Sequence, residues 1–571
     1  MSRAREHLWL IGPTGIGVLA IIAGCMLDPM RWAQAAIMPE VDSAERLDQL
    51  ADGARFLRTM LFLSAAGLIL APFIILRLTQ RLGPPTSRPA PTPMPEFRTL
   101  IIIELLIIAL GAFLRLLRIG ESLWYDEIVG LSFAVREPAM IVSSLYDPAN
   151  HILHTLLTHV SIGLMNDAEL SARLPALFAS LLTISVMMRI ARPFGVRAMI
   201  IAGLFTATLP VLVLEGVEAR GYSMMILFAA LSTALFIRAD GRRDPLLWLL
   251  YAGACALGIW SHLMMVWIPI GHALFIIIRA ARRRSLVPAW PACIALVLGA
   301  LLTLTLYAPA LGDLVRSQHD AVFARSPATP GVFGAEGVHI LLQAGGVWDV
   351  RLAWPWIALT IFGVIVSWTR PKRRRTLALL LLGLPVMLIC TLAFDTWIYA
   401  RFALFMMPGI VLAMTFGLEM LIDMINMIIA RPHASRPLYA SIVIGAIVIA
   451  GPIAVDWKRP AKQPLRNGVQ FIVEHAQIDR PRVVALGLVH RVLDVYAAPI
   501  DLRYSLRHGQ DLEHVLTRHT PDWAIIYYPA AVEPSRYDVL RVHGFAEVAR
   551  FPGWVDWGRG DVVVHQRKRG P

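Results

Sequence analysis

Five short stretches carry residues whose types could do chemistry together. WYDE, at 124–127, sets Asp126 and Glu127 side by side behind two aromatics. DPANHILHTLLTH, at 147–159, offers Asn150 and His151, then His154 and His159 at spacings that make no compact metal pair. LEGVEARGY, at 214–222, holds Glu218, Arg220 and Tyr222; WSHLMM, at 260–265, holds His262; FDTWIYARF, at 394–402, ends in Arg401 and Phe402. A positioned carboxylate can take a proton from an attacking hydroxyl. Guanidinium groups can hold a phosphate through paired, charge-assisted hydrogen bonds. Neighbouring positions on a helix point about 100° apart, so only one of Asp126 and Glu127 can face a given site.

Each stretch also has an ordinary explanation. Carboxylates are welcome in the first turn of a helix, Glu218 and Arg220 can satisfy each other, and Arg401 can reach an interface from the end of an apolar run. Trp124 and Tyr125 suit interface anchoring better than stacking on a ligand. What raises these residues above the ordinary is where the chain brings them.

The 571 residues are 57% hydrophobic and 16% charged, the composition of a polytopic membrane protein. The net charge of +13 sits in short basic clusters between apolar runs, which reads as topology and not as nucleic-acid binding. Thirteen apolar stretches between residues 8 and 455 are long enough to span, among them 8–26, 197–213, 245–260, 352–369 and 437–455. With a cytoplasmic N-terminus, the clusters at 77–89, 192–197, 238–244, 279–284 and 370–375 all fall inside, as the positive-inside rule asks. The acidic loop residues, including Glu121, Asp147, Glu215, Asp313, Asp320 and Asp395, then fall outside with all five stretches. Residues 151–165 are apolar but short, and making them a span would put the basic clusters outside, so they are expected to lie along the interface. The basic start and IAGC of the N-terminus resemble a cleavage box, but an uncleaved first span is the expectation. Cys25, Cys255, Cys293 and Cys390 lie in or beside apolar runs and imply no disulfide framework.

The expected fold is an all-α polytopic membrane protein with a small C-terminal α/β extracytoplasmic domain. Its parts are two N-terminal spans and their outer loop (1–77), a Pro-rich cytoplasmic linker (78–98), a membrane catalytic domain (99–455) and the outer domain (456–571). Strand-like runs at 482–489, 522–528 and 561–567 support that last assignment.

The order WYDE, PANH with LLTH, LSARLPALFASL, RPFGVRAMIIAGLFTATLP, EARGYSMM, SHLMM and ARFALFMMPG resembles the GT-C glycosyltransferases. It is most similar to the bacterial branch of protein O-mannosyltransferases and lipid A aminoarabinose transferases. The resemblance spans about 99–420, and WKRPAKQPLRNGVQFI at 457–472 is similar to that family's junction with its outer domain. It implies a polyprenyl-phosphate-linked sugar as donor and an envelope glycan, lipid or protein as acceptor. Transfer would occur at the outer face of a bacterial cytoplasmic membrane. Asp126 matches the family's first-loop Asp and Glu127 its acidic neighbour; Glu218, Arg220 and Tyr222 match the pattern QEARMY; Asn150 and His151 stand where a His and two Pro are common. Asp126 is therefore expected as the base with Glu127 as its catalytic partner, and Asn150, His151, Glu218, Arg220, Tyr222, His262 and Arg401 as substrate-binding residues. Some relatives use a divalent metal, for which Asp126, Glu218 and His262 are the candidates. A lipid phosphate leaves as a stabilised anion, so it calls for cations such as Arg401 and Arg220 and not for a second acid. One carboxylate acting by direct displacement would invert the anomeric centre. The rival class, a transporter or flippase of a lipid-linked sugar, calls for ionisable residues deep within the spans, and the sequence has few there.

Overall fold

The computed structural model describes residues 3–38, 43–81, 96–145, 149–165, 167–242, 244–317, 354–394, 400–429, 461–487, 492–506, 511–555 and 560–568. Most of the Pro-rich linker, the expected span at 437–455, and Asp147, Asp320 and Asp395 lie outside these residues.

Long apolar runs become helices because only a helix satisfies its own backbone in hydrocarbon. Among the described residues eight helices are long and apolar enough to cross a membrane, and nine if one bent pair counts as a span. Their outward positions, such as Leu105, Leu106, Phe113, Ile277 and Val297, are exposed apolar side chains suited to lipid. The bent pair is Ile11–Met26 followed by Pro29–Ala36, turned by 88°. Asp28 caps the second helix, its carboxylate accepting from the Met30 and Arg31 amides at 2.9 and 3.1 Å, and Pro29 occupies the first helical position.

Three expected spans form helices of fewer than 18 residues among the described residues. Residues 197–213, 245–260 and 352–369 correspond to Val196–Thr208, Pro245–Ser261 and Trp354–Trp368, of 13, 17 and 15 residues. The first is shortened by Pro210, which holds Leu209 in an extended conformation and starts a separate short helix, Pro210–Glu215. The break frees carbonyls, and fully buried Arg115 collects them. Its side chain donates to Gly111, Thr206, Ala207 and Leu212 carbonyls at 2.9 to 3.3 Å, and its Nε to Ser180 Oγ at 2.7 Å. Ile152–Leu164 has 13 residues, about 20 Å of helix, too short to cross a core of ~30 Å. Its Ile152, His154, Thr155, Thr158 and Ser161 face inward, and Leu157, Val160 and Leu164 are exposed.

The two ends of the bundle differ chemically. At one end Asp240 binds Arg279 at 2.6 Å and Arg375 at 2.5 Å, and Glu419 binds Arg373 at 2.7 Å and Arg197 at 3.5 Å. Four of the basic loops therefore meet there. The helix Tyr222–Ala239 runs from that end to the opposite one, where Arg220 and Tyr222 lie.

Beyond that opposite end the chain builds a five-stranded sheet from β1 (Arg482–Leu486), β2 (Asp501–Leu506), β3 (Trp523–Tyr527), β4 (Phe545–Phe551) and β5 (Val562–Arg567), in the order β2-β1-β3-β5-β4. β1 runs parallel to β2 and β3, and β5 antiparallel to β3 and β4. This domain does not merely hang from the membrane helices. Leu465, Val469 and Ile472 of the helix Leu465–His475 share one apolar cluster with Leu123, Ile128, Leu131, Ala172 and Ala219.

Elsewhere, helix packing relies on absent side chains. Where Trp354–Trp368 crosses Met407–Ile429, a Cβ on Gly363 would run into the Ala413 carbonyl, and one on Gly417 would lie 2.6 Å from the Leu359 carbonyl. Gly363→Ala should therefore force these helices apart at a cost of about 2 kcal/mol, seen as a lower melting temperature of the purified protein in detergent. An unchanged melting temperature would show that the crossing is not so tight.

Candidate active site at the acidic and cationic end

The short helix Tyr125–Ala134 begins just after Trp124 and carries both carboxylates in its first turn. Their surroundings are unlike. Glu127 is 1% exposed and grips Arg173 with both oxygens, Nε to Oε1 at 3.0 Å and Nη2 to Oε2 at 2.9 Å. The same carboxylate accepts from the Trp124 amide at 3.1 Å and the Ala219 amide at 2.7 Å. Arg173 in turn donates to the carbonyls of Ile119, Glu121 and Ser122 at 2.6, 2.5 and 3.3 Å. Glu127 is thus engaged on both oxygens and closed to substrate. The expectation that it joins Asp126 in the chemistry gives way to a positioning place, because the 100° turn between neighbours sends it into the protein.

Asp126 faces the other way, with its side chain 13% exposed. Arg220 Nη1 approaches its Oδ2 to 2.7 Å and Arg401 Nη2 to 3.4 Å. Glu218 lies in the same cluster, its Oε1 2.6 Å from Lys462 Nζ. The ring of Trp124 ties the cations together: Lys462 Nζ is 3.9 Å from its centroid, Arg401 Cζ 5.5 Å and Arg220 Cζ 5.9 Å. Behind Arg220 stand three rings, His151, Tyr222 and His262, with centroids 4.6 to 5.4 Å apart. His151 Nδ1 lies 3.2 Å from the Ser261 carbonyl, which can only accept, so Nδ1 carries the hydrogen. His262 Nδ1 accepts from the Met264 amide at 3.2 Å, which leaves its hydrogen on Nε2. Burial, with Arg220 and Arg401 adding to it, lowers His262 to about 3; burial and Arg220 likewise hold His151 well below its ordinary range. Both imidazoles are neutral hydrogen-bonding groups at physiological pH.

The structure thus gathers Asp126, Glu218, Arg220, Arg401, Tyr222, His151 and His262 into one group. Asn150 has a different place: its amide donates to the Ile141 and Ser144 carbonyls at 3.0 and 2.7 Å and ties the preceding loop together. Three neighbours escaped sequence reasoning. Lys462 and Gln463 come from the C-terminal domain, and the Tyr125 amide donates to Gln463 Oε1 at 3.0 Å. Glu215, 5% exposed, sits three residues before Glu218, a helical spacing that could have flagged it. Burial pushes Glu215 up to about 8, with Glu218 adding to the rise and Lys462, Arg401 and Arg220 opposing it.

Residues 149–311 match the family model described as dolichyl-phosphate-mannose-protein mannosyltransferase. The crystal structure of ArnT from Cupriavidus metallidurans bound to undecaprenyl phosphate aligns over 83% of this chain and 100% of its own, with TM-score 0.50 and 15% identity. The fold is that of the GT-C glycosyltransferases. The archaeal oligosaccharyltransferase AglB from Archaeoglobus fulgidus, in complex with an inhibitory peptide and a dolichol-phosphate, also aligns, over 79% of this chain and 72% of its own (TM-score 0.49, 10% identity). The arabinosyltransferase EmbB from Mycobacterium smegmatis aligns over 76% and 36% (TM-score 0.39, 14% identity). No curated protein matches by sequence.

Among the described residues the three metal candidates, Asp126, Glu218 and His262, are not gathered as a set of metal ligands. Among the described residues no group of three His, Cys, Asp or Glu side chains is arranged to hold an ion. Asp126 is engaged by two guanidiniums and Glu218 by an ammonium, so side-chain cations already occupy the two carboxylates.

The raised Glu215 has a consequence for stability. Its carboxyl keeps in the folded state a proton that it would otherwise lose near 4.5, so the stability it lends is full below about pH 4.5 and is lost as the pH rises through about 8. Glu215→Gln should flatten the fall in melting temperature across that window. A slope identical to that of the parent protein would mean that Glu215 does not hold the proton.

Proposed function

We propose that this chain moves a sugar from a polyprenyl-phosphate-linked donor to an acceptor hydroxyl at the outer face of a bacterial cytoplasmic membrane, with its C-terminal domain on that side. The observation that carries the reading is Asp126, the accessible member of its carboxylate pair, held between Arg220 and Arg401 at the end of the bundle away from the basic loops. An anionic donor phosphate competes for those guanidiniums and, by re-pairing them, releases the carboxylate to act. The ArnT structure similar to this chain was solved with undecaprenyl phosphate, which supports the donor class.

In the transfer, the acceptor oxygen forms its bond to the anomeric carbon as the carbon–oxygen bond to phosphate breaks. The hydroxyl proton passes to Asp126, and the bonding pair leaves on the lipid phosphate, where Arg220 and Arg401 receive the new charge. Glu127 holds the helix start that aims Asp126. Neutral His262 and Tyr222 line the pocket as hydrogen-bonding groups for sugar hydroxyls, and His151 packs behind them. Direct displacement by one carboxylate inverts the anomeric centre.

The two acidic neighbours should separate in mutagenesis. Asp126→Asn should lower transfer by about 10²- to 10⁴-fold with the melting temperature kept. Glu127→Gln should lower stability by roughly 3–5 kcal/mol by leaving Arg173 buried with half a partner. Transfer is read by mass spectrometry of envelope glycolipids, glycans and glycoproteins from a deletion strain complemented with each variant. Full transfer by Asp126→Asn would remove Asp126 as the base, and NMR showing net retention in the product would remove direct displacement.

A further inference from the structure

Lys462 is placed by the C-terminal domain, three residues before the helix Leu465–His475. Its side chain is 12% exposed, yet it ends inside the ion cluster of the membrane domain, 2.6 Å from Glu218 and 3.9 Å from the Trp124 centroid. Its backbone position is fixed by neighbours that dock the domain. The Tyr125 amide donates to Gln463; the Arg466 amide donates to Ser122 Oγ at 3.1 Å, and Arg466 Nη1 to Glu169 at 2.6 Å; Tyr496 accepts from the Leu123 amide at 2.8 Å. The ammonium is therefore delivered to the same short segment that carries Asp126.

A plain lysine–glutamate tie would need one carboxylate and no further cations. Here three cations gather around one indole, and like charges so close repel unless something anionic joins them. The cluster also holds unused capacity: Arg220 Nε is buried without a hydrogen-bond partner, as is Glu218 Oε2. Among the described residues the three cations Arg220, Arg401 and Lys462 share two carboxylates, Asp126 and Glu218.

The chemistry of the leaving group says which anion profits. A sugar phosphodiester carries one negative charge, and the lipid phosphomonoester that leaves carries up to two. The extra charge appears as the glycosidic bond breaks, and a cation placed for it stabilises the transition state more than the bound donor. Resting on the sugar transfer proposed above, we propose that Lys462, supplied by the C-terminal domain, is a third cation of the leaving-phosphate site. Its ammonium is shared between Glu218 and the phosphate. The domain is then part of the catalytic centre, and the centre is complete only when the domain is docked.

The test is binding of undecaprenyl phosphate to the purified full-length protein in nanodiscs. Lys462→Gln should weaken binding about 10- to 100-fold, the range for a lost charged hydrogen bond, and Lys462→Arg should recover most of it. Glu218→Gln breaks the same tie but keeps the ammonium, so it should bind as tightly as the parent or tighter. If Lys462→Gln binds like the parent, or if Glu218→Gln weakens binding as much as Lys462→Gln does, Lys462 is a structural tie and the inference is overturned. A parent protein that does not bind undecaprenyl phosphate overturns the donor class itself, and the inference falls with it.

Discussion

Everything at the site hangs from the buried pair of Glu127 and Arg173. Burying two charges is expensive unless their remaining hydrogen-bonding capacity is met, and here it is met by backbone on both sides. Glu127 takes the Trp124 and Ala219 amides, and Arg173 takes three carbonyls between Ile119 and Ser122. One ion pair thereby joins the loop before the Asp126 helix, the membrane helix Ala168–Ala191 and the segment carrying Glu218 and Arg220. Because the pair is rigid at Glu127, the next residue back has one direction left, toward Arg220 and Arg401. The engaged member of the carboxylate pair sets the direction of the accessible one.

A second constraint is charge balance in a poorly hydrated place. Asp126, Glu218, Arg220, Arg401 and Lys462 are each costly to bury alone and tolerable together. An indole face shared by three cations softens their mutual repulsion, since each gains from the ring's negative face. Such a group sets three cations against two carboxylates around one ring, which distinguishes it from the ion pairs at the basic end. There Asp240 is bracketed by Arg279 and Arg375 and serves to hold helix ends together.

The sequence reveals charge more readily than partnership. In a chain this apolar, Asp126, Glu218, Arg220 and Arg401 stand out because ionised groups at the ends of apolar runs need a reason. The positive-inside pattern places them on one side, and the structure brings them into contact. Lys462 could not be seen this way, because it lies in a polar stretch where lysine is unremarkable and meets the site across 244 residues of chain. Glu127 looked reactive for the opposite reason: residue type says nothing of whether each carboxylate oxygen is already engaged. The same holds for the sheet. β1, β3 and β5 are central and read as apolar runs, whereas β2 (DLRYSL) and β4 (FAEVARF) are edges interspersed with polar residues and left no such signal. Helix breaks were hidden too, since 197–213 is apolar throughout and only Pro210 marks the interruption.

That interruption explains why the site sits where it does. A helix broken near the membrane boundary exposes carbonyls that lipid cannot satisfy, so the break survives only where protein supplies donors. Arg115 supplies five N–H groups from one side chain, to four carbonyls and a hydroxyl. Gly216 is required beside it, because a Cβ there would lie 2.6 Å from Arg115 Nε and 2.7 Å from Ser180 Oγ. With the backbone so held, the chain turns within a few residues and sets Glu215, Glu218 and Arg220 against the helix that begins at Tyr125. A continuous span would have carried those residues past the start of that helix. The buried arginine with no part in the chemistry is thus what allows an irregular, charge-bearing segment to exist at the edge of a membrane bundle.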